Sequence, residues 1–310
     1  MYYDRKKKEI ALDGPNPRED YVLINERDKF IDYLDEWKNT GKGGNSFIFK
    51  VVDCNEEETD QIIKLCKYFQ TTNPTPFINK RINRFEREIK ALLIAQELEK
   101  NDFLVNILAE GWLEVSKKKF RYYVMEKAHY DLSIFLADNN LSLQSKIELC
   151  YELIGAFKAL HEIGIYHRDI KPDNIFFIGN KWKIGDLGLI KFRDEDIDID
   201  DPREKIGPYG LLSPEAANKA LGNKELESFI FDCEIDNKSD VFQLGALIWY
   251  ILQGEIPTGQ LILDDFRNPD SIEMFYNVIF PSLQFAKSRR PDINELYSNI
   301  IPICKDFALI

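Results

Sequence analysis

Cysteine is scarce and scattered in this chain of 310 residues. Cys54, Cys66, Cys150, Cys233 and Cys304 form no C-x-x-C pair and no zinc-ligand spacing. That argues against a disulfide framework and for reduced, structural thiols in a cytoplasmic protein. Positive charge is also in deficit. Lys and Arg number 41 against 53 Asp and Glu, a formal net charge of −12. General nucleic-acid binders are usually basic, so no nucleic acid is expected as a partner. Long apolar runs are missing as well. The longest, 244-LGALIWYIL-252, contains Gly245 and is far too short to span a bilayer. It reads as a helix buried on all sides. No apolar stretch follows the basic run 5-RKKK-8, so no secretory leader is expected. That run reads as a solvated tail, with some capacity to touch an anionic surface.

What is present is globular in character: 44% apolar residues, with aromatics spread along the chain. Residues 1–33 are charged and carry Pro15 and Pro17, with only weak periodicity. They read as an N-terminal extension in which 21-YVLI-24 and 29-KFIDYLDEW-37 offer a strand or a helix. From Gly41 the pattern is strand-like through 47-FIFKVVD-53 and 61-QIIKLCKYF-69. A helical period follows in 81-RINRFEREIKALLIAQELEK-100, and two further strand-like runs lie near 105–115 and 120–126. Beyond about residue 130 helices dominate. One runs over 143-LQSKIELCYELIGAFKALHEIG-164, closed by Gly164. This predicts a small β-rich lobe with one helix over 34–127, then a larger, mainly helical lobe over 128–310. A cleft between two such lobes is a favoured place for a ligand.

The chemistry concentrates in 167-HRDIKPDN-174 and, twelve residues after Asn174, in Asp186 of 184-IGDLGL-189. An Asp in a loop after a helix can accept a proton from an incoming hydroxyl. An Asn and a second Asp offer hard oxygens of the kind that suit Mg²⁺ beside nucleotide phosphates. A Lys between them offsets charge on a transferring phosphoryl group. That set meets the needs of phosphoryl transfer.

HRDIKPDN followed by DLG resembles the catalytic loop and metal-binding motif of the eukaryotic-type (Hanks-type) serine/threonine protein kinases. The resemblance runs from about Gly41 to Arg290 and implies an α+β, bilobal protein-kinase-like fold. It also implies ATP as phosphoryl donor, Mg²⁺ (or Mn²⁺) as metal and a protein hydroxyl as acceptor. Asp169 and Lys171 would be catalytic, and Asn174 and Asp186 would hold the metal. The segment 41-GKGGNSFI-48 is similar to the family's glycine-rich loop, with Gly41, Gly43, Gly44, Ser46 and Ile48 near the nucleotide. Ser46 stands where the third glycine usually does. In 61-QIIK-64, Lys64 would reach the phosphates, with Ile62 replacing a smaller residue. Its partner on the following helix would be Glu88, with Glu86 as the rival. Met125 would be the gatekeeper. Glu126 and Ala128 would meet adenine through their backbone, and Ile48 and Phe176 would sandwich it. In the larger lobe, 213-SPE-215 and Arg290 resemble the family's conserved ion pair, and Asp240 the residue that braces the catalytic loop.

Asp169, Asn174, Asp186, Lys64 and a helix glutamate are all present. A pseudokinase usually lacks at least one, so catalysis is favoured over a nucleotide-binding interaction module. The Arg168–Asp169 pair, Lys171 and the SPE motif favour a protein over a small-molecule hydroxyl. Lys171 favours serine/threonine. Pro208 stands where a threonine usually bridges the catalytic Asp and Lys, and Leu211 where a tyrosine is usual, two departures from the serine/threonine pattern. Residues 218–236 form an insertion relative to the family. Finally, the segment 186–215 holds only two hydroxyl side chains, Tyr209 and Ser213. In the usual place of a regulatory phosphate stands 194-DEDIDIDDPRE-204, with seven carboxylates. One or more of these is expected to pair with Arg168 and order the segment without phosphorylation.

Overall fold

The computed structural model describes residues 1–12, 21–24, 27–34, 45–53, 57–99, 102–195, 199–222 and 231–310. The chain divides into two compact units, Met1–His129 and Tyr130–Ile310.

The first unit begins with strands β1 (Tyr2–Asp4) and β2 (Glu9–Ala11), paired as an antiparallel hairpin. The turn between them is 5-RKKK-8, so the basic run is part of a folded hairpin rather than a tail. Six further strands form one antiparallel sheet. They are β3 (Tyr21–Ile24), β4 (Arg27–Asp32), β5 (Ser46–Val52), β6 (Glu58–Phe69), β7 (Ile107–Val115) and β8 (Lys118–Glu126), in the spatial order β3-β4-β5-β6-β8-β7. Residues 1–33 therefore contribute four strands, two of them in the main sheet. Alternation sends Phe47, Phe49, Val51, Ile63, Leu65, Phe120 and Val124 to one face, where Ile10 of β2 and Ile31 of β4 join them in a single core. The N-terminal strands thus remove apolar sheet surface from water, at about 25 cal/mol per Å² buried.

Among the described residues of this unit the one long helix is α1 (Pro76–Glu97). It starts five residues before the expected boundary. Apolar periodicity begins only at Ile82, but the start signal lies upstream: Thr75 caps the helix by accepting from the Ile78 amide at 3.3 Å, and Pro76 occupies the first turn. Phe85, Glu88, Ile89, Leu92 and Ala95 share its buried face, packed against β6, β7 and β8.

The second unit is mainly helical. It contains β9 (Tyr130–Asp131), α2 (Leu132–Asp138), α3 (Leu143–Glu162), β10 (Ile165–Tyr166), β11 (Ile175–Ile178), β12 (Lys181–Ile184), β13 (Lys191–Phe192), α4 (Pro214–Leu221), α5 (Asn237–Gln253), α6 (Phe280–Ser282) and α7 (Ile293–Asp306). Helix α3 packs on α5 and α7. It ends where Gly164 turns left-handed at φ 77°. Helix α5 carries the long apolar run, buried along nearly its whole length as expected. Gly245 within it has a packing reason: a Cβ there would stand 2.5 Å from Cβ of Ser282 on α6. Of the insertion, residues 223–230 lie outside the described residues. The sheet-based first unit and helical second unit are the α+β, small-lobe and large-lobe composition the resemblance implies.

Candidate active site

The loop between β10 and β11 is built around a buried carboxylate. Asp240, in the first turn of α5, accepts from the His167 amide through Oδ2 and the Arg168 amide through Oδ1, each at 2.7 Å. His161 Nε2 lies 2.9 Å from the same Oδ2. One turn along α5, Gln243 accepts from the Ile170 amide at 2.8 Å and donates to the Arg168 carbonyl at 3.2 Å. Four backbone groups of a non-repetitive loop are thereby satisfied by one helix. These bonds hold Arg168 at φ 66°, a left-handed conformation costing on the order of 1–3 kcal/mol for a non-glycine residue. Asp186 sits at φ 49°, so both motifs contain a constrained residue.

On this frame Asp169 is held from two sides. Asn174 Nδ2 donates to its Oδ2 at 3.0 Å and to its backbone carbonyl at 2.9 Å. Lys171 Nζ lies 3.1 Å from the same Oδ2. Burial alone would lower the Lys171 ammonium, but the Asp169 carboxylate, helped by Asp186 and Asp173, holds it above its ordinary value. The Lys–Asp contact is direct, so it stands although Pro208 supplies no bridging hydroxyl. Leu187 is fully buried, and the smaller side chain of DLG is still a core residue.

A cavity of about 540 Å³ opens at Asp169, lined also by Lys171, Lys205, Pro208, Leu211 and Tyr250. Lys205 was not singled out in the sequence. Its ammonium lies over the Tyr209 ring, 3.0 Å from the centroid, and burial lowers its pKa against the pull of Asp169. The walls beside the carboxylate are apolar, and two cations flank it.

Arg168 pairs with one of the acidic-segment carboxylates, Asp200, while its Nε donates to the Leu189 carbonyl at 2.8 Å. The Arg168 and Asp200 side chains are 4% and 1% exposed. Lys219 of α4 approaches Asp200 at 3.8 Å. Asp194 and Asp201 are exposed, and Asp196 and Asp198 lie outside the described residues.

Glu215 and Arg290 form a two-pronged pair, Nη1 to Oε1 at 2.7 Å and Nη2 to Oε2 at 2.9 Å, with Ser239 donating to Oε1 at 2.5 Å. Burial alone would raise the Glu215 carboxyl, but the bonds from Arg290 and Ser239 outweigh it and hold the pKa below its ordinary value. A depressed carboxylate contributes stability above its unfolded pKa, which is lost as pH falls through the folded one. Thermal melts should therefore fall as pH drops below about 4.5, and Glu215→Gln should flatten that part of the curve while lowering the plateau. An unchanged acid slope in the variant would contradict this assignment.

In the first unit, Lys64 of β6 and Glu88 of α1 form a buried pair, Nζ to Oε1 at 2.8 Å. Tyr123 of β8 donates to the same Oε1 at 3.1 Å, a third member the sequence did not announce. Glu86 turns away and pairs with Arg121 at 2.9 Å. Ser46 and Ile48 lie on β5, and Ile48 is paired with Lys64. Met125 is 9% exposed on β8, opposite Ile62. Glu126 and Ala128 are half-buried, and the Glu126 side chain accepts from the Asn106 amide at 2.7 Å. Gly41, Gly43 and Gly44 lie outside the described residues. In the second unit, Phe176 is half-buried on β11.

The donor set near Asp169 suits a hard divalent ion. Asn174 spends its amide N–H on Asp169, which leaves its oxygen to act as a ligand. Asp186 adds a carboxylate. Among the described residues no cluster of three or more His, Cys, Asp or Glu side chains could hold a metal alone. An amide with one carboxylate is a partial shell of the sort Mg²⁺ completes with water and phosphate oxygens.

The protein kinase domain family matches residues 35–305, and the chain belongs to that family. The dual specificity protein kinase TTK of Mus musculus is 23% identical over 247 residues, 79% of this chain and 27% of that protein. A Wee1-like protein kinase of Oryza sativa is 27% identical over 221 residues, 71% and 36% of the two chains. Cyclin-dependent kinase-like 2 of Homo sapiens is 27% identical over 228 residues, 72% and 40%. The chain thus spans roughly a quarter to two-fifths of the length of these relatives.

Proposed function

We propose that this chain transfers the γ-phosphoryl group of ATP to serine or threonine hydroxyls of a protein substrate in the cytoplasm, its own chain included. The observation that carries the reading is the Asp169–Lys171–Asn174 cluster braced on Asp240. Asp169 orients the acceptor hydroxyl and takes its proton as the new oxygen–phosphorus bond forms and the γ-phosphorus parts from the β–γ bridging oxygen, with ADP leaving. Lys171 offsets negative charge beside it. Asn174 and Asp186 would hold Mg²⁺ or Mn²⁺, which neutralises phosphate charge when bound. Lys64, fixed by Glu88 and Tyr123, binds phosphate oxygens. Gly41, Gly43, Gly44 and Ser46 would line the phosphates, and Ile48, Met125, Glu126, Ala128 and Phe176 the adenine. Serine or threonine is favoured by Lys171. Among the described residues, no helix is long and apolar enough to cross a membrane.

Purified chain incubated with γ-labelled ATP and Mg²⁺, alone and with a basic acceptor protein, should transfer label to serine or threonine. EDTA should stop it and Mn²⁺ should support it. Absence of transfer under all these conditions, with ATP still bound, would favour an interaction module instead. Lys64→Met and Glu88→Gln should each lower turnover about ten- to a hundredfold and also lower the melting temperature, because each leaves one member of a buried ion pair unpaired. The double variant should lose less than the product of the two, because the residues act as a pair. A larger loss from Glu86→Gln than from Glu88→Gln would overturn this pairing.

A further inference from the structure

The basic run 5-RKKK-8 has no part in the phosphotransfer site, yet Arg5, Lys7 and Lys8 help to line a cavity in the first unit. That cavity, about 690 Å³, lies among the β1–β2 hairpin, the end of β6, the start of β8 and the first turn of α1. Five cations line it, Arg5, Lys7, Lys8, Lys67 and Lys118, against one carboxylate, Glu9. The local charge, five minus one, is positive in a chain whose formal net charge is −12. Glu9 is committed to Lys7 at 3.5 Å. Among the described residues Arg5, Lys8 and Lys118 have no carboxylate partner.

The walls are aromatic. Lys118 Nζ stands 3.5 Å from the Phe69 centroid and 5.4 Å from that of Tyr3. Lys67 Nζ stands 5.4 Å from the centroid of Phe47. The ring faces of Phe69 and Tyr3 hold Lys118 without neutralising it, leaving its charge for a further anion. At the rim Phe77 is 51% exposed, with Arg81 over its ring at 5.1 Å. An exposed aromatic beside unneutralised cations is a combination that aromatic and acidic side chains recognise together.

We propose that this cavity is a docking site for an acidic peptide segment of a partner protein, rich in Asp and Glu and bearing an aromatic side chain. The ring enters between Phe69 and Phe77, and the carboxylates meet Arg5, Lys8 and Lys118. Charge complementarity favours the acid, and the concave, ring-lined shape favours a side chain over a flat lipid surface. The site is separate from the residues assigned to phosphotransfer, so it stands or falls independently of that reading.

The test is fluorescence anisotropy of a labelled peptide, Asp-Glu-Phe-Glu-Asp-Phe-Glu, with the full chain. Saturable binding that weakens as salt rises is expected. Arg5→Glu with Lys8→Glu should weaken it at least about tenfold, as should Phe77→Ala, and as should replacing both peptide Phe residues by Ala. All three protein positions are exposed, so thermal melts should match the parent. Anionic phospholipid vesicles and a phosphoserine peptide lacking Asp and Glu serve as comparison probes. No saturable binding of the acidic peptide, binding indifferent to these substitutions, or binding to vesicles or phosphopeptide alone would overturn the proposal.

Discussion

Asp169→Asn is expected to cut phosphotransfer by about 10²–10⁴-fold, the usual span for losing a positioned general base. The reason lies in how little else the substitution changes. The amide has nearly the volume of the carboxylate. Its oxygen can still accept from Asn174, which lies 3.0 Å away, and from Lys171 at 3.1 Å. The bonds from Asp240 reach the backbone of His167 and Arg168 and do not involve the 169 side chain. Only the capacity to take a proton is removed. Single-turnover rates should therefore collapse while ATP affinity and the melting temperature stay close to the parent. If instead the melting temperature falls steeply with the rate, Asp169 serves chiefly to hold the loop. A rate near that of the parent would remove it from the chemistry.

The residues most legible in the sequence are those whose spacing encodes their geometry. His167 to Asn174 form one turn of loop, so their order in the chain is nearly their order in space. The pairing of Lys64 with Glu88 rather than Glu86 follows from helix geometry: two residues are about 200° of rotation apart, so only one can face the sheet. The apolar run in α5 was readable because it is apolar all round. Other features left weak traces. The β1–β2 hairpin is six short-strand residues separated by four charges, a pattern shared with solvated tails. Tyr123 lies in the strand 122-YYVMEKA-128 and looks like core until its hydroxyl is seen to reach Glu88. Lys205 belongs to no motif in the sequence, yet it lines the cavity with Asp169. Asp200 is one of seven neighbouring carboxylates, and nothing in composition separates it from the rest.

That single carboxylate supports the second large effect: Asp200→Asn should lower turnover at least about tenfold without phosphorylation entering the matter. The Arg168 side chain is 4% exposed and Asp200 1%, so removing one charge leaves the other buried. Breaking a buried pair in this way costs about 3–5 kcal/mol. Lys219, at 3.8 Å, would lose its nearby anion as well. The cost falls on the segment that carries Asp200, which is expected to loosen and release the acceptor cavity around Pro208 and Leu211. Phosphorylation has little room to act here. Ser213 is fully buried and caps α4, accepting from the Ala216 amide at 3.4 Å. Tyr209 is 84% exposed and is the other hydroxyl in the segment. Phosphatase treatment and Tyr209→Phe should therefore leave activity intact. Asp194→Asn and Asp201→Asn, both at exposed positions, should change turnover less than twofold, in keeping with the small worth of surface charges. Arg168→Leu combined with Asp200→Leu should lose less than the two single changes multiplied, since the pair is then replaced by apolar contact rather than left half-broken. Activity that disappears with phosphatase, or that survives Asp200→Asn unchanged, would show that this carboxylate does not order the segment.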